Sequence, residues 1–176
     1  MANVDALLRS KLRDIPDFPK PGIIFKDLTP LLSDADAWKT VCDALAEPFA
    51  GNKKVSKVVG IESRGFLYGV ALAERLGVGF VPVRKPGKLP AKTVRETYSL
   101  EYGQDSLEMH HDALVAGQEV IVCDDLLATG GTAAATCRLV EKLGARVIAC
   151  AFAVELGFLK GREKLSGRKI VSLVTY

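Results

Sequence analysis

A chain of 176 residues, 48% hydrophobic and 26% charged, has the size and balance of one globular domain that buries its own core. Its net charge of +3 is too small to argue for nucleic acid, and no run approaches the roughly 18 apolar residues of a membrane span. With no signal-peptide hydrophobic region, and with Cys42, Cys123, Cys137 and Cys150 in no paired metal spacing, the expectation is a soluble, cytoplasmic protein with reduced thiols.

Residues 4–13 carry helical spacing, with Leu7, Leu8 and Leu12 on one side. The Pro-rich stretch 15–22 cannot continue that helix and is expected to run extended. Residues 33–46 read as a helix with Trp38, Val41 and Leu45 as its apolar stripe. Ser33 is its expected N-cap, with Asp36 three positions on as an Asp variant of the capping box. Residues 55–61 form the first convincing strand, followed by a polar turn and a helix over 65–76 that Gly77 closes. Gly77 and Gly79 follow a helix rather than a strand, so they are a stop and a turn, not a dinucleotide fingerprint.

Residues 80–84 are the next strand. The stretch 86–104 is long and polar, with only weak strand character near 98–101, and a loop of that length inside a compact domain is expected to be a functional lid. Strand character returns at 107–110 and at 120–123. A helix over 133–143, a β-rich run over 145–154, a helical turn at 160–165 and a last strand at 170–174 follow. His110 and His111 are strand neighbours that point to opposite faces and do not chelate together. Strands alternating with helices predict an α/β fold, a mostly parallel twisted sheet flanked by helices, in a single domain over 1–176.

The segment with the most chemistry begins at Val120. Four apolar residues end in Asp124 and Asp125, and then Ala128, Thr129, Gly130, Gly131 and Thr132 lead into a helix. A strand that feeds a Gly-rich turn into a helix N-terminus aims backbone N–H groups and the positive end of the helix dipole at one point, a site for a phosphate monoester. The adjacent carboxylates would repel bare phosphate, so they suit a pair of sugar hydroxyls, or Mg²⁺ held through water. A P-loop would need Lys after the second Gly, where Thr132 stands. A second strand-turn-helix junction, with Glu62, Ser63 and Arg64, offers another anion cradle with a guanidinium to fork two oxygens. Arg84, Lys85, Lys88, Lys92 and Arg95 add basic charge in or beside the candidate loops.

The Asp-Asp-to-Thr132 segment resembles the phosphoribosyl-pyrophosphate signature of the type I phosphoribosyltransferases. Four more segments, at 18–27, 60–66, 84–90 and 98–103, narrow the resemblance to the branch that acts on adenine, along essentially the whole chain. The resemblance implies transfer of the phosphoribosyl group to adenine, giving AMP and pyrophosphate. It implies Mg²⁺ bound mainly by substrate and water, with no direct protein ligand. It also implies a small N-terminal base-binding hood (1–32) and a flexible lid (86–104).

By the same resemblance, Asp124, Asp125 and residues 128–132 hold the ribose and 5′-phosphate. Glu62, Ser63 and Arg64, with a cis peptide between the first two, hold the pyrophosphate together with Arg84, Lys85 and Lys88. Arg84 is expected to reach a neighbouring subunit of a homodimer. Glu101 is expected to handle a proton at ring N7, while Tyr102 shapes the closed lid. Ile24, Phe25 and Lys26 are expected to take the base, by ring stacking and main-chain contacts; some relatives carry Arg at position 26. Rival expectations are the same chemistry on hypoxanthine, guanine or xanthine, and a regulator that binds phosphoribosyl pyrophosphate without turning it over. No membrane or nucleic-acid partner is expected.

Overall fold

The computed structural model describes residues 2–99 and 103–176. In chain order its helices are α1 (Ala2–Lys11), α2 (Thr29–Leu32), α3 (Ala35–Ala46), α4 (Gly65–Leu76) and α5 (Gly131–Lys142). Its strands are β1 (Arg13–Pro16), β2 (Ile24–Asp27), β3 (Val55–Ile61), β4 (Gly79–Val83), β5 (Thr93–Ser99), β6 (Gln104–His110), β7 (Glu119–Leu127), β8 (Arg146–Glu155) and β9 (Lys169–Thr175).

The central strands are apolar on both faces, which commits them to a sheet covered on both sides. In β7, Val120 and Val122 pack into one core while Ile121 and Cys123 pack into the other; in β3, Val59 and Val58 divide the same way. Five strands pair in parallel in the order β4-β3-β7-β8-β9. Helices α1, α3 and α4 cover one face, around Leu8, Val41, Leu45 and Tyr68. Helix α5 and the β5–β6 hairpin cover the other, around Leu139, Val140, Leu107 and Met109. The chain runs outward from β3 to β4 and then returns to the far side of β3 as β7. The carboxyl ends of β3 and β7 therefore form the crevice where parallel α/β sheets place their ligands.

Strand β3 and helix α4 match the expected limits, and Gly77 closes α4 in the left-handed conformation. Three expectations are corrected. The N-cap of α3 is Asp34, whose carboxylate accepts from Ala37 N at 3.0 Å, whereas the Ser33 hydroxyl donates back to Pro30 O. Part of the stretch 86–104 is strand and not loop: β5 pairs with β6 in full antiparallel register from Thr93–His110 to Ser99–Gln104. Strand β7 does not end before the acids but runs on to Leu127, so Asp124 and Asp125 are strand residues. Leu8 of α1 is core, while β1 and β2 form a separate hairpin.

Candidate active site

Both strand ends at the crevice open into helices that no side chain caps. Helix α4 starts from Arg64 and α5 from Gly130, neither with a side-chain acceptor; in α4 the Phe66 and Leu67 N–H groups donate instead to Ser63 O and Arg64 O, both at 3.2 Å. The exposed Ser63 accordingly does not act as a cap. The Glu62–Ser63 peptide is cis, as expected. Gly130 has φ +76°, and a Cβ there would sit 2.3 Å from Gly161 O, so the 160–165 segment braces the Gly-rich turn after β7 from behind. Gly65 is equally constrained: a Cβ would meet Asp124 Oδ1 at 2.6 Å. The turn after β3 is thus packed directly on the acids of β7.

Asp125 continues the face of Ile121 and Cys123 towards α4, and there it meets Arg64, Nε to Oδ2 at 2.9 Å. The contact is an ion pair without a well-aimed hydrogen bond, since that buried Oδ2 has no donor among the described residues. Asp125 is only 4% exposed, while Asp124 is half-buried. Burial, together with the charge of Asp125, pushes the Asp124 carboxyl well above the usual carboxylate range, despite the Asp125 N–H that it accepts at 2.9 Å. Two acids this close, one short of donors, are poised for a hydroxyl-rich or cationic ligand. The Arg64 guanidinium also lies 5.2 Å over the Phe25 ring, which links the acids to the β1–β2 hairpin.

On the other side of β3, Glu62 does not offer its carboxylate to the crevice. It accepts from Arg84 Nε at 3.2 Å, Arg84 Nη2 at 3.3 Å and Lys85 N at 2.8 Å. Although burial opposes it, these bonds hold Glu62 below the usual carboxylate range. Arg84 also donates to Lys88 O at 3.2 Å, so Glu62, Arg84 and Lys88 form one basic corner. Lys85 leaves it: its ammonium is bound by Asp105 of the β5–β6 hairpin. Arg95 is likewise taken up by Glu108, with Nη2 to Oε1 at 2.6 Å.

A cavity of about 1090 Å³ runs from the β1–β2 hairpin, at Ile24 and Lys26, to Thr129, Gly131 and Thr132 of the Gly-rich turn after β7. Ile24 is 59% exposed into this region, and β2 pairs with β1 alone, leaving its other edge of main-chain groups open. The Lys26 ammonium is turned away, 2.7 and 2.9 Å from the two Asp14 carboxylate oxygens and 4.0 Å over Tyr176. Glu101 and Tyr102 lie outside the described residues.

Residues 32–171 match the family model described as the phosphoribosyl transferase domain. The adenine phosphoribosyltransferase of Acidobacterium capsulatum is 57% identical over 169 residues, covering 96% of this chain and 93% of that protein. The chain belongs to the adenine phosphoribosyltransferases. The crystal structure of the family member from Thermoanaerobacter pseudethanolicus matches with a TM-score of 0.93 at 54% identity, over 96% of this chain and 98% of that one. The Saccharomyces cerevisiae member, solved with an imino-altritol bisphosphate and adenine, matches with a TM-score of 0.92 at 45% identity, over 98% and 99%.

For this member of the adenine phosphoribosyltransferases, the cavity wall adds residues that sequence reasoning did not single out. Leu156, Phe158 and Tyr176 line it from the ends of β8 and β9, and Lys164 stands beside Gly131. The available signal was topological: β8 and β9 are parallel to β7, so whatever follows them emerges at the same rim.

Proposed function

We propose that the chain transfers the phosphoribosyl group of 5-phosphoribosyl 1-pyrophosphate to adenine, forming AMP and pyrophosphate. The observation that carries this is the β3–β7 junction. Two uncapped helix N-termini and the Arg64–Asp125 pair share one rim, beside a cavity that runs on to the hood. The 5′-phosphate is assigned to the amides and hydroxyls of residues 128–132 and the ribose diol to Asp124 and Asp125. The pyrophosphate is assigned to the main chain of Glu62, Ser63 and Arg64, with Arg84 and Lys88, while Lys85, its ammonium bound by Asp105, is not assigned to it. Adenine is assigned to the Phe25 ring and the open main-chain edge of Ile24 and Lys26.

Cleavage of the C1–pyrophosphate bond ahead of attack leaves oxocarbenium character on the sugar, so the site must neutralise the leaving group and exclude water. Arg64, Arg84 and Lys88 supply the positive charge, and Glu101, in the candidate lid, is assigned the proton at N7. Mg²⁺ fits the donor set: Asp125 Oδ2 is buried without a donor, and the two acids are hard oxygen ligands able to hold the ion through water. When bound, the ion would supply further charge neutralisation on the diphosphate. Arg84 reaching the site of a second copy is the reason to expect a homodimer. The tethering of Lys26 to Asp14 favours adenine over 6-oxopurines, because a 6-oxo group needs a side-chain donor that this lysine does not present, whereas an exocyclic amine needs a main-chain acceptor.

The test is a steady-state assay with phosphoribosyl pyrophosphate, Mg²⁺ and each base in turn. AMP formation with adenine, and little product from hypoxanthine, guanine or xanthine, is expected. Preference for a 6-oxopurine would overturn the base assignment, and no turnover with any base would leave only a binding protein.

A further inference from the structure

The β5–β6 hairpin touches the phosphate loop through one buried side chain. Tyr98, 7% exposed, lays its ring against Gly131, where a Cβ would be 3.6 Å away, and brings its hydroxyl 3.3 Å from Thr132 Oγ1. The same hydroxyl lies 3.2 Å from Asp105 Oδ2, and Asp105 is the residue directly opposite Tyr98 in the hairpin register. Asp105 in turn binds the Lys85 ammonium and accepts from Ser106 N at 2.8 Å. A chain of polar groups therefore runs from the end of β4, across the hairpin, to the hydroxyl assigned to the 5′-phosphate.

From this geometry we propose that Tyr98, backed by Asp105 and Lys85, is a positioning residue that holds the Thr132 hydroxyl in place for the 5′-phosphate. The proposal rests on the phosphoribosyl-transfer reading of the loop. A phenol has one proton and cannot give it to Asp105 and Thr132 at once. With the loop empty, the charge-assisted bond to Asp105 takes it, and Tyr98 oxygen accepts from Thr132. Phosphate oxygens only accept, so a bound phosphate draws the Thr132 proton to itself. Tyr98 then turns its own proton to Thr132 Oγ1, and Asp105 keeps the Lys85 ammonium as its partner. The threonine hydroxyl is held at one position in both states, so little ordering remains to be done when phosphate arrives.

The experiment is Tyr98→Phe, which keeps the ring against Gly131 and removes only the hydroxyl. The expected result is a rise of about three- to tenfold in KM for phosphoribosyl pyrophosphate, the value of one hydrogen bond, with KM for adenine unchanged and kcat within about twofold. Asp105→Asn should move the same constant in the same direction. In a Thr132→Val background, Tyr98→Phe should have no further effect, because its target is gone. An unchanged or lowered KM in Tyr98→Phe, or the same increment in the Thr132→Val background, overturns the proposal. If the wild-type chain itself fails to make AMP, it is the functional reading that fails and not the positioning role.

Discussion

At the residue scale, the site is built against its own stability. Asp125 is buried with an oxygen that no N–H or O–H among the described residues satisfies, and burial together with the Asp125 charge keeps the neighbouring Asp124 carboxyl protonated beyond its ordinary range. An ordinary core would not retain two such acids; a site that must hold a sugar diol or a hydrated cation would. Asp125→Asn separates the two demands. It removes the charge that crowds Asp124, but also the partner of Arg64, at nearly constant volume, so the melting temperature should change little. It also removes an acceptor that the ribose needs, so kcat/KM should drop by at least about 100-fold. Calorimetry and steady-state kinetics on one preparation check both halves. A destabilised variant with unimpaired turnover would make the pair structural.

At the element scale, caps and hairpins make sharper predictions than helix or strand identity. Asp34, not Ser33, satisfies the first turn of α3, so Asp34→Ala should cost about 1 kcal/mol in denaturant unfolding, and Ser33→Ala should cost well under half of that. Asp27 ties the β1–β2 hairpin to α2. The Thr29 N–H at 2.9 Å, and then Arg13 Nη2 at 2.6 Å, lower its carboxyl from 3.8 to about 2. A carboxyl depressed in the folded state adds stability above its ordinary value and loses it as pH falls towards the folded one. Asp27→Asn should therefore destabilise the chain by about 1–2 kcal/mol at neutral pH. The gap to the wild type should close between pH values of about 4 and about 2. A gap that persists at the acid end would assign the loss to shape and not to charge. Elements were legible in the sequence where apolar pattern and punctuation agreed, as in β3 and α4 with its closing Gly77. They were illegible where strands are polar and exposed. In β1 and β5 most residues are exposed or half-buried, so no alternation of apolar residues announces them, and only pairing to β2 and β6 makes them strands. The segment 124–132 stood out because its glycines, hydroxyls and acids are consecutive. The contacts that Tyr98 and Asp105 make beside it did not, because they depend on hairpin register.

At the scale of the whole molecule, one sheet is covered by two separate cores, and the reversal of strand order between them leaves a crevice that neither core fills. The turn after β3 belongs to the α4 side, and the Gly-rich turn after β7 leads into α5 on the opposite side. Only a ligand held by both would bridge them, and phosphoribosyl pyrophosphate is assigned one charged end in each. Such a ligand binds the folded state alone, so at about 100 times its dissociation constant it should add roughly 2.7 kcal/mol to stability. For a domain of this size that corresponds to a rise in melting temperature of about 5–10 °C. Thermal denaturation with phosphoribosyl pyrophosphate and Mg²⁺ measures it directly. Ribose 5-phosphate, which keeps the phosphate end but has no pyrophosphate to place at the β3 turn, should give a clearly smaller shift at the same concentration. Equal shifts from the two ligands would mean that the β3 turn takes no part in binding, and that only the phosphate loop grips the sugar.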